Sequence, residues 1–165
     1  LRTLVQRNNI LIHRGKVPML DMTKRRIRLL CCSSSMESGG SERQMLQLLQ
    51  GIDRERFEPF LYLLYRSGPL LEQVPSDVVI EDYWSQASSL RMPIPGLTSY
   101  RQIRHLAHII RKHRINIVYD RLFHMAMICG PAARKTGVKR VAVIVSPPQS
   151  DVLKTETRFV RWKQR

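Results

Sequence analysis

Short apolar runs alternate with segments of helical periodicity from residue 27 onward, and this alternation limits the chain to few folds. The runs are apolar at consecutive positions, which is typical of strands that are covered on both faces. They lie at 27–32, 60–65, 78–80, 115–119 and 141–145. Strands of this kind separated by helices predict an α/β domain with a Rossmann-like parallel sheet and helices on both faces.

The intervening helices have recognisable start and stop signals. Ser41 and Gln44 match a capping box at the start of the first helix. Ser99 is the expected N-cap of the second helix, and Gly137 follows the third. The predicted helices cover 41–51, a segment that starts at Ser99, 122–135 and 151–165.

The charge of the chain is strongly basic and unevenly distributed. Its 28 Lys and Arg residues exceed 13 Asp and Glu residues, for a net charge of +15. Residues 1–26 hold seven basic residues and one acidic residue, and 154–165 hold five and one. Such a field attracts nucleic acid, anionic lipid or phosphorylated ligands.

Phe159 and Trp162 among the C-terminal cations suit either an interfacial helix or a helix docked on the core.

The three cysteines indicate neither a disulfide framework nor a zinc site, because Cys31 and Cys32 are adjacent, Cys129 is distant and no CxxC spacing occurs. They are expected to be core residues in a reducing compartment. No apolar run approaches the ~18 residues of a membrane span, and no signal peptide is recognisable. We therefore expect a cytoplasmic protein with a basic arm at 1–23 and one domain at 24–165.

A glycine-containing loop, 38–42, joins the first strand to the first helix. In open parallel sheets, ligands bind beyond the carboxyl ends of the strands. Glycines permit close approach of the backbone, and a helix start offers free N–H donors to a phosphate. The dinucleotide pattern GxGxxG and the phosphate-loop pattern GxxxxGK[ST] are both absent. The loop therefore predicts either a phosphate site or a tight strand-to-helix turn.

His124 follows the fourth strand, and it is expected at the same edge of the sheet as the glycine loop. It could bind hydroxyl groups or move protons, or it could simply lie in the first turn of a helix. Asp120 and Arg121 precede it. Either both are binding residues, or Asp120 is a helix cap and Arg121 an exposed charge. No nucleophile elbow or HExxH motif is present, so no catalytic residue is assigned.

Several segments along the chain form a recognisable set. The first are the run 39–44 (GGSERQ), Leu48 and 51–58, and the later ones lie at 68–70, in the helix 104–113, at 115–119, at 122–124 and at 132–138. Together they resemble family 4 GT-B glycosyltransferases, and the first segments are similar to the start of that family. The resemblance covers roughly residues 27–162, and this breadth makes it more specific than any one motif.

This resemblance implies the N-terminal, acceptor-side domain of an enzyme that transfers sugar from a nucleotide-sugar donor. By the same resemblance, Gly39, Gly40 and Ser41 face the donor diphosphate. The residues expected in the acceptor cleft are His124, Arg121 and Ser146. No metal and no cofactor beyond the donor are implied.

The second, donor-binding domain of such enzymes is not recognisable in the chain. The family's Glu-x7-Glu motif is missing, because no two glutamates are eight residues apart. We therefore expect a truncated domain that is inactive alone.

Two other functions are consistent with the same residues. One is a basic α/β module that binds nucleic acid or an anionic membrane without catalysis, peripheral to the inner face of the membrane. RRM, KH and helix-turn-helix signatures are absent, so no specific nucleic acid is expected. The other is a generic Rossmann-like nucleotide-binding protein.

Overall fold

The computed structural model describes residues 25–85 and 96–143, and within them five strands form one parallel sheet. The strand order is β3-β2-β1-β4-β5. The strands are β1 (Ile27–Ser33), β2 (Phe57–Leu63), β3 (Val79–Asp82), β4 (Ile117–Asp120) and β5 (Lys139–Ala142). The helices are α1 (Gly40–Gly51), α2 (Leu97–Lys112) and α3 (Phe123–Thr136), and a 3-10 helix (Pro69–Gln73) precedes β3. The predicted Rossmann-like α/β fold is confirmed.

Helices cover both faces of the sheet, which explains the consecutive apolar residues of the strands. From β1, Leu30 and Cys32 pack with α2 and α3, whereas Leu29 and Cys31 pack with α1 and the 3-10 helix. All three cysteines are buried free thiols, as expected of core residues. Burial raises the pKa of Cys31 to about 12, so this thiol stays protonated at neutral pH.

Strand boundaries differ from the predicted ones where pairing extends beyond the apolar run. The second strand begins at Phe57 rather than at residue 60, because Phe57 pairs with Ile27 at the start of β1. The next pair, Arg28 and Glu58, is polar but joined by an ion pair of 3.1 Å. The 3-10 helix was not predicted; its Leu70 is buried against the α1 side of the sheet.

Both predicted serine caps are wrong. Helix α1 begins at Gly40 with Gly39 as its N-cap, and no side chain caps it, so Ser41 lies inside the first turn. Helix α2 begins at Leu97 because Gly96 adopts the left-handed conformation at its N-cap, two residues before the expected start at Ser99. The predicted stop at Gly137 is confirmed: this glycine has a φ of 72° after α3.

Three predicted features lie outside the described residues: the basic arm at 1–23, the helix at 151–165 and the end of the fifth strand after residue 143. None of the helices in the described segments has the length and apolar character required to cross a bilayer.

Candidate functional site at the carboxyl edge of the sheet

The carboxyl ends of the strands meet at one edge of the sheet, because all the strand pairs are parallel. The loops that follow β1 and β2 hold the glycine loop and Gly68, and His124 lies in the first turn of α3, just after β4. This is the edge at which ligands bind in open α/β sheets. The sheet therefore brings together the segments that the sequence singled out.

The glycine loop enters α1 in extended conformation, with a φ of −72° and a ψ of 166° at Gly39. The carboxylate of Glu42, in the first turn, lies over the Cα of Gly39. A Cβ built at Gly40 would meet no other part of the described residues within 4 Å, apart from its chain neighbours and its own helix backbone, so the space beside it is open there. Gly39 supplies no side-chain cap, and among the described residues no side-chain hydrogen bond to the first N–H groups of α1 is seen.

The loop that leads into this helix start is held by the segment after β2. The Met36 N–H donates to the Ser67 carbonyl over 2.9 Å, and the Leu70 N–H donates to the Met36 carbonyl over 3.1 Å. Gly68 lies between these two bonds with a φ of 110°. A Cβ there would overlap the backbone of Met36. The position of the β1–α1 loop therefore depends on a glycine at residue 68.

Arg121 connects the end of β4 to α1. Its Nη1 donates to the Tyr119 hydroxyl over 2.9 Å, and its Nη2 donates to the side-chain oxygen of Gln44, on the second turn of α1. Its Nε is buried and has no hydrogen-bond partner among the described residues. The guanidinium thus adds a positive charge beside the second turn of α1, and the Glu42 carboxylate adds a negative charge at Gly39 in the first turn.

His124 lies exposed in the first turn of α3. Among the described residues, no hydrogen bond joins it to the glycine loop, so it shares the edge without contacting that loop. Ser146, the remaining residue expected in the acceptor cleft, is outside the described residues.

Asp120 is not a helix cap, contrary to one of the two readings of the sequence, because Leu122 is the N-cap of α3. Asp120 is 1% exposed and accepts two hydrogen bonds from Arg140, at 2.7 Å from Nε and 2.8 Å from Nη2. These bonds raise the pKa of Arg140 above its ordinary value, so the guanidinium is charged. The pair joins β4 to β5. We therefore assign Asp120 a structural role at this edge of the sheet and not a role in ligand binding.

Two exposed aromatic residues at this edge were not assigned from the sequence. Tyr65 follows β2 and Trp84 follows β3, and their rings stack with centroids 6.0 Å apart. A signal was available, since an aromatic residue follows each of two neighbouring strands. In the described segments, no group of three or more His, Cys, Asp or Glu side chains is arranged to hold a metal ion.

No protein-family profile and no curated protein matches the chain at a significant level. Solved structures do match. A glycosyltransferase from Rickettsia africae superposes with a TM-score of 0.56 and 17% identity, over 82% of this chain and 35% of that one.

Two further glycosyltransferases match at a TM-score of 0.50. A mutant O-GlcNAc transferase from Thermobaculum terrenum is 17% identical, over 67% of this chain and 19% of that one. The lipopolysaccharide outer core galactosyltransferase WaaB, in its apo form, is 10% identical, over 70% of this chain and 31% of that one.

The chain thus spans about a third or less of the length of each of these structures. At such low identity the likeness establishes the fold alone. The described residues form a Rossmann-like α/β domain similar to one part of these glycosyltransferases.

Proposed function

We propose that this chain is the N-terminal, acceptor-side domain of a family 4 GT-B glycosyltransferase that takes its sugar from a nucleotide-sugar donor. The observation that carries the proposal is the open start of α1, where Gly40 has free space and Arg121 lies one turn away. The fold shared with three glycosyltransferase structures supports it. On this proposal, the donor-binding domain has to be supplied for catalysis, and the chain alone transfers no sugar.

In the proposed enzyme, Gly39, Gly40 and Ser41 face the donor diphosphate. Backbone N–H groups at a helix start bind phosphate oxygens with the help of the helix dipole. Arg121 contributes a fixed positive charge, because its two Nη atoms are already held by Tyr119 and Gln44. We assign His124, Arg121 and Ser146 to the acceptor side of the same cleft.

The diphosphate site is tested by substituting valine for Gly40. We expect inorganic pyrophosphate to shift the amide signals of residues 39–42 in the NMR spectrum of the labelled chain. The Gly40→Val substitution should weaken this binding at least about tenfold, since a branched side chain fills the space through which the anion reaches the backbone. The free energy of unfolding should change little, because the new Cβ meets nothing within 4 Å among the described residues beyond its own helix.

Gly51→Val is the matched control, at the other end of the same helix. A Cβ at Gly51 also meets no protein atom within 4 Å, so both variants place a valine in open space. The control should bind pyrophosphate like the unchanged chain. Equal binding by the Gly40 and Gly51 variants, or shifts spread over the basic surface without a maximum at 39–42, would refute the diphosphate site.

A second candidate function, binding to an anionic membrane surface, is favoured by the distribution of charge in the helices on one face of the sheet. Helices α2 and α3 pack on the same face and contain no acidic residue. Their six exposed cations are Arg101, Arg104, Arg111, Lys112, Arg134 and Lys135. Arg111 Nη2 donates to the Lys135 carbonyl over 3.3 Å, so the two basic helix ends adjoin. This binding is compatible with the proposed transferase and does not require it.

Removal of one cation from each helix tests the membrane surface. The pair Arg104→Gln and Arg134→Gln should weaken binding to anionic vesicles roughly 30-fold, because each basic residue near such a surface contributes about 1 kcal/mol. The control pair, Arg43→Gln and Arg56→Gln, removes the same net charge from exposed positions in and after α1. Vesicle binding is measured by co-sedimentation. If the two pairs weaken it equally, the binding depends on net charge alone and a specific basic face is refuted.

A further inference from the structure

Tyr65 and Trp84 form an exposed aromatic pair where two neighbouring strands end. Their ring planes are 20° apart, and the side chains remain 51% and 39% exposed, respectively. Keeping large apolar rings in water forgoes the free energy of their burial, about 25 cal/mol for each Å². Adjacent exposed rings of this kind are typical of a binding surface.

Backbone hydrogen bonds fix the main chain at both aromatic residues without a ligand. The Tyr65 N–H donates to the Ser34 carbonyl over 2.8 Å, and the Trp84 N–H donates to the Leu64 carbonyl over 3.2 Å. Behind Trp84, the buried ring of Tyr83 packs edge-on, with centroids 5.0 Å apart and planes at 75°. The surface is therefore pre-organised, and a ligand would lose little free energy in ordering it.

Two further rings, those of His105 and Tyr62, lie behind Tyr83. Tyr83 packs edge-on against His105 at 5.5 Å, and the His105 Nδ1 lies 3.1 Å from the Tyr62 hydroxyl. Burial lowers the pKa of His105 below its ordinary value, so its imidazole is neutral at pH 7. The aromatic pair consequently has an apolar support that connects it to the core of the sheet.

Polar groups border the pair. The buried Asp82 accepts hydrogen bonds from the backbone N–H of Ser85, over 2.8 Å, and from the Ser85 hydroxyl. The Arg66 Nη1 lies 4.0 Å from the Asp82 Oδ2, and the Arg66 side chain is 58% exposed. Accessible guanidinium N–H donors therefore lie near Asp82, two residues before Trp84, while the stacked pair keeps exposed aromatic surface. A pyranose ring matches this combination, because it has one C–H face and hydroxyl groups around its rim.

We propose that Tyr65 and Trp84 form a saccharide subsite, in which the C–H face of a pyranose lies on an exposed face of the stacked pair and Arg66 donates hydrogen bonds to its hydroxyl groups. Its identification as part of the acceptor site rests on the proposed glycosyltransferase function. The binding itself requires only the residues described here, so it is measurable with this chain alone.

Intrinsic fluorescence reports directly on this subsite. The chain has two tryptophans, Trp84 and Trp162, so Trp162→Phe leaves Trp84 as the sole tryptophan, which is excited selectively at a wavelength that tyrosine does not absorb. We expect a saturable change in its emission with at least one of the methyl pyranosides of glucose, galactose, mannose and N-acetylglucosamine. Tyr65→Ala in this background should weaken that binding about tenfold or more, because half of the stacking surface is lost.

Tyr100→Ala is the matched control, since Tyr100 is 52% exposed and packs on Arg104 rather than on the aromatic pair. It should leave saccharide affinity unchanged, and thermal unfolding should show that both variants are folded. The subsite is refuted if no pyranoside alters the emission, if Tyr65→Ala binds like Tyr100→Ala, or if uridine and guanosine bind while the pyranosides do not. Saccharide binding without pyrophosphate binding at 39–42 would reject the proposed transferase site and retain the subsite.

Discussion

Replacing Gly68 by alanine is expected to lower the free energy of unfolding by about 4 kcal/mol, the largest effect of any single methyl group in this domain. Two costs combine at this position. The φ of 110° belongs to a region that residues with a Cβ rarely adopt, and the new Cβ would overlap the Met36 backbone. Met36 cannot retreat easily, because its N–H and carbonyl are bonded to Ser67 and Leu70. Urea-induced unfolding followed by circular dichroism measures the loss.

Gly137→Ala separates the two costs. Gly137 also has a positive φ, 72°, but a Cβ there would meet no protein atom within 4 Å. Gly137→Ala should therefore lower the free energy of unfolding by about 1–2 kcal/mol, because only the left-handed conformation disfavours alanine. The difference between the two variants then measures the contact between the segment after β2 and the loop that leads to α1. Equal losses of unfolding free energy for both variants would show that the Met36 backbone moves away from the new Cβ without destabilising the domain.

The second large effect is expected from Arg140→Met, at about 3 kcal/mol of unfolding free energy, measured by the same urea titration. The substitution leaves the carboxylate of Asp120, which is 1% exposed, without the two hydrogen bonds that it accepts from Arg140. An ionised group that is buried without its partner is far more costly than the intact pair. The side chain of methionine preserves most of the apolar contact of the arginine stem.

A double-mutant cycle identifies the source of that loss. Asp120→Leu combined with Arg140→Met removes both charges, and the double variant should recover most of the stability lost in Arg140→Met. The two losses should therefore be strongly non-additive. Additive losses would show that Arg140 acts by packing against α3, where its Nη1 lies near Gly130, rather than by neutralising Asp120.

The predicted elements that proved correct have local causes. Runs of consecutive apolar residues indicated β1 and its neighbours, because a strand between two helical layers needs apolar side chains on both faces. Gly137 ended α3 for an equally local reason, its left-handed conformation. The wrong helix starts at Ser41 and Ser99 were also local inferences, but the backbone of Gly39 and Gly96 decided both.

The candidate site was predictable only in outline. Placement of the glycine loop, Arg121 and His124 at one edge follows from parallel strands, once strand and helix alternate. The contact of Arg121 with Gln44, which lies 77 residues away, depends on β4 being adjacent to β1 and is invisible to a local pattern. The orientation of the resulting positive charge toward α1 therefore required the structure.

The sequence by itself determined the fold class, the buried cysteines and the glycine loop at the edge, because each depends on residues that are close along the chain. Tertiary structure alone decided that Asp120 neutralises Arg140 and that Tyr65 stacks on Trp84. Asp120 and Arg140 lie on adjacent parallel strands, and Tyr65 and Trp84 follow adjacent parallel strands, in both cases about 20 positions apart in the sequence. Their partners are set by strand order and register, which arise from packing of the whole sheet rather than from any local periodicity.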